Sequence, residues 1–356
     1  MLILGIVVTV VAIFFVLCLL IDRILSVPSY HGPFTDHFDG NRFHNVEPPK
    51  RKSFLDFLRW QSTAKRGAWE QWTDSEFGSL PPTRVNESTL RVTFINHATV
   101  LIQTEGLNIL TDPIWSERAS PVTWAGPRRH RSPGIRFEDL PPIDFVLIGH
   151  NHYDHLDIKT LVRLRDEHRP RFITGLGNGA FLNGHKIRDV TELDWWDSTK
   201  ISNEVIATCV PAKHFSGRGL SDRDVALWCG FVIQAPAGNI YFAGDTGMGS
   251  HFREIKERFN GFRLALLPIG AYLPRWFMHP VHLSPSEAIE VHHMLDPSVS
   301  LAIHFGTFAL GDDGQFEPIA DLRAGLNDKD DSNFWILEQG EGRDVPSTEK
   351  GINSLT

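Results

Sequence analysis

The sequence predicts an α/β protein in which two β-sheets pack face to face with helices on the outer sides. Short β-rich runs and helix signals follow one another as strands, helix, strands, helix, in two rough halves, which suits layered sheets flanked by helices. With 356 residues, 42% hydrophobic and 22% charged, the chain is long enough for a large core and ordinary in composition. Side chains able to hold a metal recur at the ends of the apolar runs.

Taken in order, residues 2–21 are uncharged and almost wholly apolar, about the twenty residues that a bilayer-crossing helix needs. The basic start, short core and small-residue cleavage site of a cleaved signal peptide are missing. Residues 2–21 are therefore expected to form an uncleaved transmembrane signal anchor, a single pass at the N-terminus. Arg23, then Lys50, Arg51 and Lys52, follow it, and the positive-inside rule puts the catalytic domain on the cytoplasmic side. Residues 22–89 are polar, Pro-rich and aromatic with little periodicity. They read as a linker and N-terminal wrap, with Trp60, Trp69 and Trp72 packing part of it on the main body or on lipid.

The core domain is expected over residues 90–340 and a flexible tail over 341–356. Strands are expected at 90–95, 99–104 and 107–111, with Glu105-Gly106 as a hairpin turn. A buried strand follows at 143–148. Ile158, Leu161, Val162 and Arg165 then recur at helical spacing behind Asp157, a residue type that caps helices. Further strands are expected at 205–210, 226–234, 239–243, 264–268 and 300–303. Ser284-Pro285-Ser286-Glu287 starts a helix, with an N-cap serine, an early proline and a glutamate three residues on, and Asp296-Pro297 ends it.

A net charge of −8 argues against a dedicated nucleic-acid binder. The one basic cluster, Arg128-Arg129-His130-Arg131, is short and reads as a solvated loop. Cys18, Cys209 and Cys229 form neither a zinc ribbon nor a disulfide framework.

The chemistry concentrates in His150-Asn151-His152-Tyr153-Asp154-His155, which a buried strand ending in Gly149 delivers onto one loop. Imidazole and carboxylate bind zinc and related first-row metals. Four such groups so close together would titrate against one another unless a cation held them. They are too many for one open catalytic ion, so two ions are expected. His214, Asp245 and His304 each follow a further apolar run, and strand ends hold metal geometry rigidly. A lone histidine is usually a surface or hydrogen-bonded residue, and among 17 histidines that reading holds for His31, His37, His44, His168, His185, His251, His292 and His293. The clustered set stands apart.

The run resembles the H-x-H-x-D-H signature of the metallo-β-lactamase fold, over about residues 90–340. Further segments resemble the N-acylphosphatidylethanolamine-hydrolysing phospholipase D family and its bacterial relatives. They are Asn96-His97-Ala98-Thr99, Thr111-Asp112-Pro113, Gly126-Pro127-Arg128, Pro211-Ala212-Lys213-His214, Phe242-Ala243-Gly244-Asp245-Thr246-Gly247, Gly270-Ala271-Tyr272, Pro274-Arg275-Trp276-Phe277-Met278 and Ile303-His304-Phe305-Gly306-Thr307. The resemblance implies an αββα sandwich holding two zinc ions per chain. His150, His152 and His214 would hold one ion, Asp154, His155 and His304 the other, and Asp245 would bridge them.

The activity it implies is hydrolysis of N-acylphosphatidylethanolamine, or a related glycerophospholipid, by metal-bound hydroxide, giving phosphatidic acid and a free alcohol. Asp154, Asp245 and His282 are the expected catalytic residues, His282 serving the leaving alkoxide. Tyr272 and Arg275 are expected to contact the headgroup, and His97, Asp112 and Asp157 to orient ligands from behind. The expected partners are a phospholipid substrate and a membrane, with a homodimer left open and no nucleic acid. The rival readings are another hydrolase of the same fold, acting on a lactone or small phosphodiester, and a non-catalytic, membrane-tethered metal-binding protein.

Overall fold

A computed structural model of the chain describes residues 2–48, 52–326 and 333–347. Among the described residues each sheet has seven strands. In the first, β1 (Leu90–Asn96), β2 (Thr99–Thr104) and β3 (Leu107–Thr111) form an antiparallel meander, and β4 (Phe145–Ile148), β5 (Arg171–Gly175) and β6 (Val190–Leu193) continue it in parallel. The second repeats the plan. In it β7 (Ser198–Lys200), β8 (Ile206–Val210), β9 (Gly230–Gln234) and β10 (Ile240–Phe242) are antiparallel, and β11 (Leu264–Pro268), β12 (Val299–Ile303) and β13 (Phe334–Trp335) are parallel. A last strand, β14 (Gly342–Asp344), pairs with β1, so the first sheet runs past the boundary expected at 340. Residues 348–356 of the expected tail lie outside the described residues.

The period-two alternation of β4 explains the layering. Phe145 and Leu147 enter the core between the sheets, beside Cys209, Phe231 and Leu266. Val146 and Ile148 face outward onto Leu161 and Leu164 of a helix, Ile158–Glu167. The expected strand at 226–234 starts only at Gly230, because Leu227 and Cys229 donate to Leu176 and Gly149 at the rim of the other sheet. Cys209 and Cys229 are buried and free.

The helices are α1 (Leu2–Leu25), α2 (Phe54–Thr63), α3 (Ile158–Glu167), α4 (Gly179–Gly184), α5 (His251–Arg258), α6 (Arg275–Met278), α7 (Pro285–Leu295) and α8 (Glu317–Leu326). At the start of α7, Glu287 N–H donates to Ser284 Oγ at 3.3 Å, and Ser284 N–H to Glu287 Oε2 at 2.8 Å, a complete capping box. Asp157 stands at the N-cap of α3 but makes no capping bond through its side chain.

The N-terminal region takes two forms. α1 is one helix of 24 residues, and its exposed side chains include Ile13, Phe14, Phe15 and Ile24. Among the described residues no helix is long and apolar enough to cross a membrane. The side chains of residues 2–8, 10 and 11 lie outside the description, as do Lys50 and Arg51, so the anchor expected over 2–21 and its orientation gain no support there. Residues 35–48 and 52–80 wrap the domain. Trp60 stacks on Phe277 with ring centroids 4.8 Å apart and donates to Asp312 Oδ1 at 2.9 Å, while Trp69 donates to the Asp313 carbonyl. Trp72 is left exposed.

Candidate metal centre

β1, β3, β4, β8, β10 and β12 all run in the direction that brings their C-terminal ends to one rim, where ligand sites of α/β sheets form. His97 follows β1, Asp112 follows β3, His150 follows β4 by one glycine, His214 follows β8, Asp245 follows β10 and His304 follows β12. Three of these turn sharply there: His97, Asp112 and His304 adopt φ of 47°, 33° and 63°, a conformation non-glycine residues rarely take.

Two donor groups result. His150 Nε2 lies 2.8 Å from His152 Nδ1, which lies 3.3 Å from His214 Nε2. His155 Nε2 lies 3.2 Å from both Asp154 Oδ2 and Asp245 Oδ2, and His304 Nε2 lies 3.5 and 3.1 Å from the same two atoms. Asp245 Oδ2 is also 3.9 Å from His214 Nε2, so this carboxylate stands between the groups. A four-coordinate ion with bonds of about 2.0–2.1 Å spaces its ligand atoms at roughly 3.3 Å.

The tautomers fit. His214 Nδ1 lies 2.9 Å from the Val281 carbonyl and so carries its proton there, leaving the Nε2 lone pair to the cluster. His155 Nδ1 lies 2.6 Å from Asp112 Oδ2, with the same consequence. His155 Nε2, His304 Nε2 and Asp245 Oδ1 are buried without a hydrogen-bond partner, a costly arrangement that a bound cation relieves. The donor set therefore fits two first-row ions.

Electrostatics separate the groups. Burial holds His150 and His214 well below the ordinary imidazole range and pushes His152 down to about 4, so these three offer neutral nitrogens. Burial also acts against charge on His155 and His304. There it is outweighed by Asp245 and its neighbouring carboxylates, which raise His155 well above its usual value and His304 to about 9. Burial pushes Asp154 and Asp245 upward, but the imidazoles around them, His155 first, hold both well below the carboxylate range.

The cluster opens into a cavity of about 700 Å³. His152, Asp154, His214 and Asp245 form its floor. Phe54, Phe57, Trp60, Phe277, Met278, Val281 and Leu310 form an apolar wall. His282 also lines it, its Nδ1 3.8 Å from Asp245 Oδ2, and burial depresses its pKa to about 4. The N-terminal wrap also contributes lining, including Phe43, Asn45 and side chains of α2, and Phe43 and Asn45 were not singled out from sequence. No local signal links those residues to a cluster that begins only at His150.

The surrounding residues divide. Asp112 Oδ2 lies 2.6 Å from His155 Nδ1, and His97 Nε2 lies 2.9 Å from Asp154 Oδ2. Asp157 instead takes bonds from Ser116 N–H, Ser116 Oγ and Thr160 Oγ1, so its carboxylate faces the loop after β3 and the first turn of α3. Tyr272 is buried with its hydroxyl on Asp321. Arg275 binds Glu287 Oε2 at 2.7 Å and the His282 carbonyl at 3.2 Å. Neither is among the described residues that line the cavity: Tyr272 is tied to α8 through Asp321, and Arg275 braces the loop that carries His282.

Residues 107–305 match the family model described as a β-lactamase superfamily domain. An N-acyl-phosphatidylethanolamine-hydrolyzing phospholipase D 1 of Caenorhabditis elegans is 38% identical over 270 residues, covering 72% of this chain and 76% of the relative. A mitochondrial protein of Saccharomyces cerevisiae with the same named activity is 37% identical over 219 residues, 60% of this chain and 47% of the relative. The solved structure of Igni18, a metallo hydrolase of Ignicoccus hospitalis, superposes with a TM-score of 0.54 at 21% identity, covering 73% of this chain and 100% of that one.

Proposed function

The chain belongs to the β-lactamase superfamily, among its metal-dependent hydrolases, and from that membership we propose that it is a membrane-associated, zinc-dependent phosphodiesterase of phospholipase D type. Its substrate is N-acylphosphatidylethanolamine or a related glycerophospholipid. The observation that carries the reading is the cavity: a floor of metal-binding side chains below a wall of Phe54, Phe57, Trp60, Phe277, Met278 and Val281. Such a wall takes acyl chains and excludes water, while the floor takes a phosphodiester.

His150, His152 and His214 would hold one ion, Asp154, His155 and His304 the other, with Asp245 between them. Bound zinc supplies a water made nucleophilic at neutral pH and neutralises charge on the phosphoryl oxygens. The bond between phosphorus and the ethanolamine oxygen breaks, water oxygen takes its place on phosphorus, and phosphatidic acid and an N-acylethanolamine leave. Asp112 and the Val281 carbonyl hold the imidazoles of His155 and His214 in the tautomers this requires. His282 is neutral at neutral pH, so it offers an N–H to the leaving alkoxide oxygen rather than standing ready as a charged acid.

Membrane association would come from two exposed apolar surfaces, that of α1 and the face of α2 bearing Phe54, Leu55 and Leu58. Lys52 and Arg59 lie over the Trp276 ring at 5.3 and 5.0 Å, cations beside an interfacial aromatic at the edge of the same patch. The test is product analysis with purified full-length protein and a panel of phospholipids. Phosphatidic acid released together with the headgroup alcohol supports the reading. Hydrolysis of lactones or small cyclic phosphodiesters with every phospholipid left intact overturns it.

A further inference from the structure

We propose that Asn45, in the N-terminal wrap, is a positioning residue for the ion held by His150, His152 and His214. This rests on reading His214 as an ion ligand. Asn45 binds both backbone polar groups of that ligand. Its Oδ1 accepts from His214 N–H at 3.0 Å, and its Nδ2 donates to the His214 carbonyl at 2.9 Å, across 169 positions of sequence. Oδ1 also accepts from Trp228 Nε1 at 3.0 Å. Both of those partners are donors only and the carbonyl is an acceptor only, so the chemistry fixes which end of the amide faces which.

The clamp complements the ring contact already described. The Val281 carbonyl sets the tautomer and tilt of the His214 imidazole, whereas Asn45 sets the position of the backbone from which the ring projects. Both are needed to keep Nε2 at 3.3 Å from His152 Nδ1. Two other ligands sit closer to their strands: His150 comes one glycine after β4, and His304 directly after β12. His214 lies four positions beyond the end of β8 at Val210, where the ladder no longer holds it. The wrap itself is secured nearby, with Phe43 N–H on the Asp224 carbonyl at 2.8 Å and Phe43 buried against Phe38.

The experiment compares full-length wild type, Asn45→Ala and Phe38→Leu, each stripped of metal and titrated with Zn²⁺ and, separately, Co²⁺ against a competing chelator. Phe38 packs the same segment without lining the cavity, so its variant loosens the wrap while leaving the amide clamp in place. In Asn45→Ala one of two ion equivalents should weaken by roughly 10–100-fold. The visible absorption of the Co²⁺ form should change, and kcat should fall more than KM rises. Phe38→Leu should keep wild-type affinities. Wild-type affinities and an unchanged Co²⁺ spectrum in Asn45→Ala, or an equal loss in Phe38→Leu, would overturn the assignment. A wild-type protein that binds neither metal would overturn the metal reading itself, an outcome distinct from either.

Discussion

His155 Nδ1 stands 2.6 Å from Asp112 Oδ2 with both side chains fully buried, and that contact turns His155 Nε2 to within 3.2 Å of Asp154 and Asp245. Asp112 uses its other oxygen on Gly149 N–H at 2.7 Å, so one carboxylate fixes both a ligand and the start of the loop carrying the ligands. Asp112→Ala strands two buried donors, each costing about 1–3 kcal/mol. It should lower ion affinity by roughly 10–100-fold and the melting temperature with it. Competitive metal titration and calorimetry check this, and a variant with wild-type affinity would mean that His155 needs no such support.

Asp245→Asn should remove most activity while the circular dichroism spectrum stays native. Its Oδ2 is the atom within 3.9 Å of ligand nitrogens in both groups, and an amide binds cations poorly. Elemental analysis should find two zinc equivalents in the wild type and fewer in the variant. Full rates in Asp245→Asn would exclude a shared carboxylate.

His282→Ala should slow cleavage of alkyl phosphodiesters by about 100-fold, the scale of losing one donor to a developing oxyanion. An aryl phosphodiester, whose leaving group is already stable, should be slowed far less. Equal losses on the two substrates would remove His282 from the leaving-group role.

Phe277→Ala should raise KM for long-chain phospholipids several-fold and leave a short, water-soluble phosphodiester nearly unaffected. The ring lines the cavity and stacks on Trp60, so under the proposed function it would meet acyl chain and not phosphate. Parallel losses on both substrates would show that the wall serves folding instead of binding.

His37 gives a pH dependence independent of the centre. Burial disfavours its charge, but bonds to Asp194 at 2.6 Å and Asp36 at 2.5 Å outweigh that and raise its pKa above 6.5. The stabilisation is then full below about 6.5, where unfolded histidine is also charged, and is lost as pH rises through the raised folded value. Urea unfolding at pH 5.5 and 8.5 should show a larger fall for wild type than for His37→Asn. Equal falls would rule the pair out.

The H-N-H-Y-D-H run was legible because its ligands are local, and His214, Asp245 and His304 because each follows an apolar run that becomes a strand. Other features depend on partners far away in sequence. Tyr272 and Arg275 sit in a family-like motif, but only the fold shows Tyr272 turned to Asp321 and Arg275 to Glu287. β5, β6 and β7 are short runs interrupted by charge, and their pairing with stronger neighbours makes them strands. α2 hides in a polar, aromatic stretch because its buried Trp60 finds its partners, Phe277 and Asp312, more than two hundred residues on.

Neither sheet owns the centre. The first sheet supplies His150, His152, Asp154 and His155; the second supplies His214, Asp245 and His304. Ions seated there would act as rivets through the rim of the sandwich, joining two layers whose inner faces meet largely through apolar side chains. Chelation should therefore behave as a mild mechanical loosening, with the β4 and β10 ends exchanging amide hydrogens sooner while the opposite rim stays protected. Loss of an ion would then register as slack between the two halves.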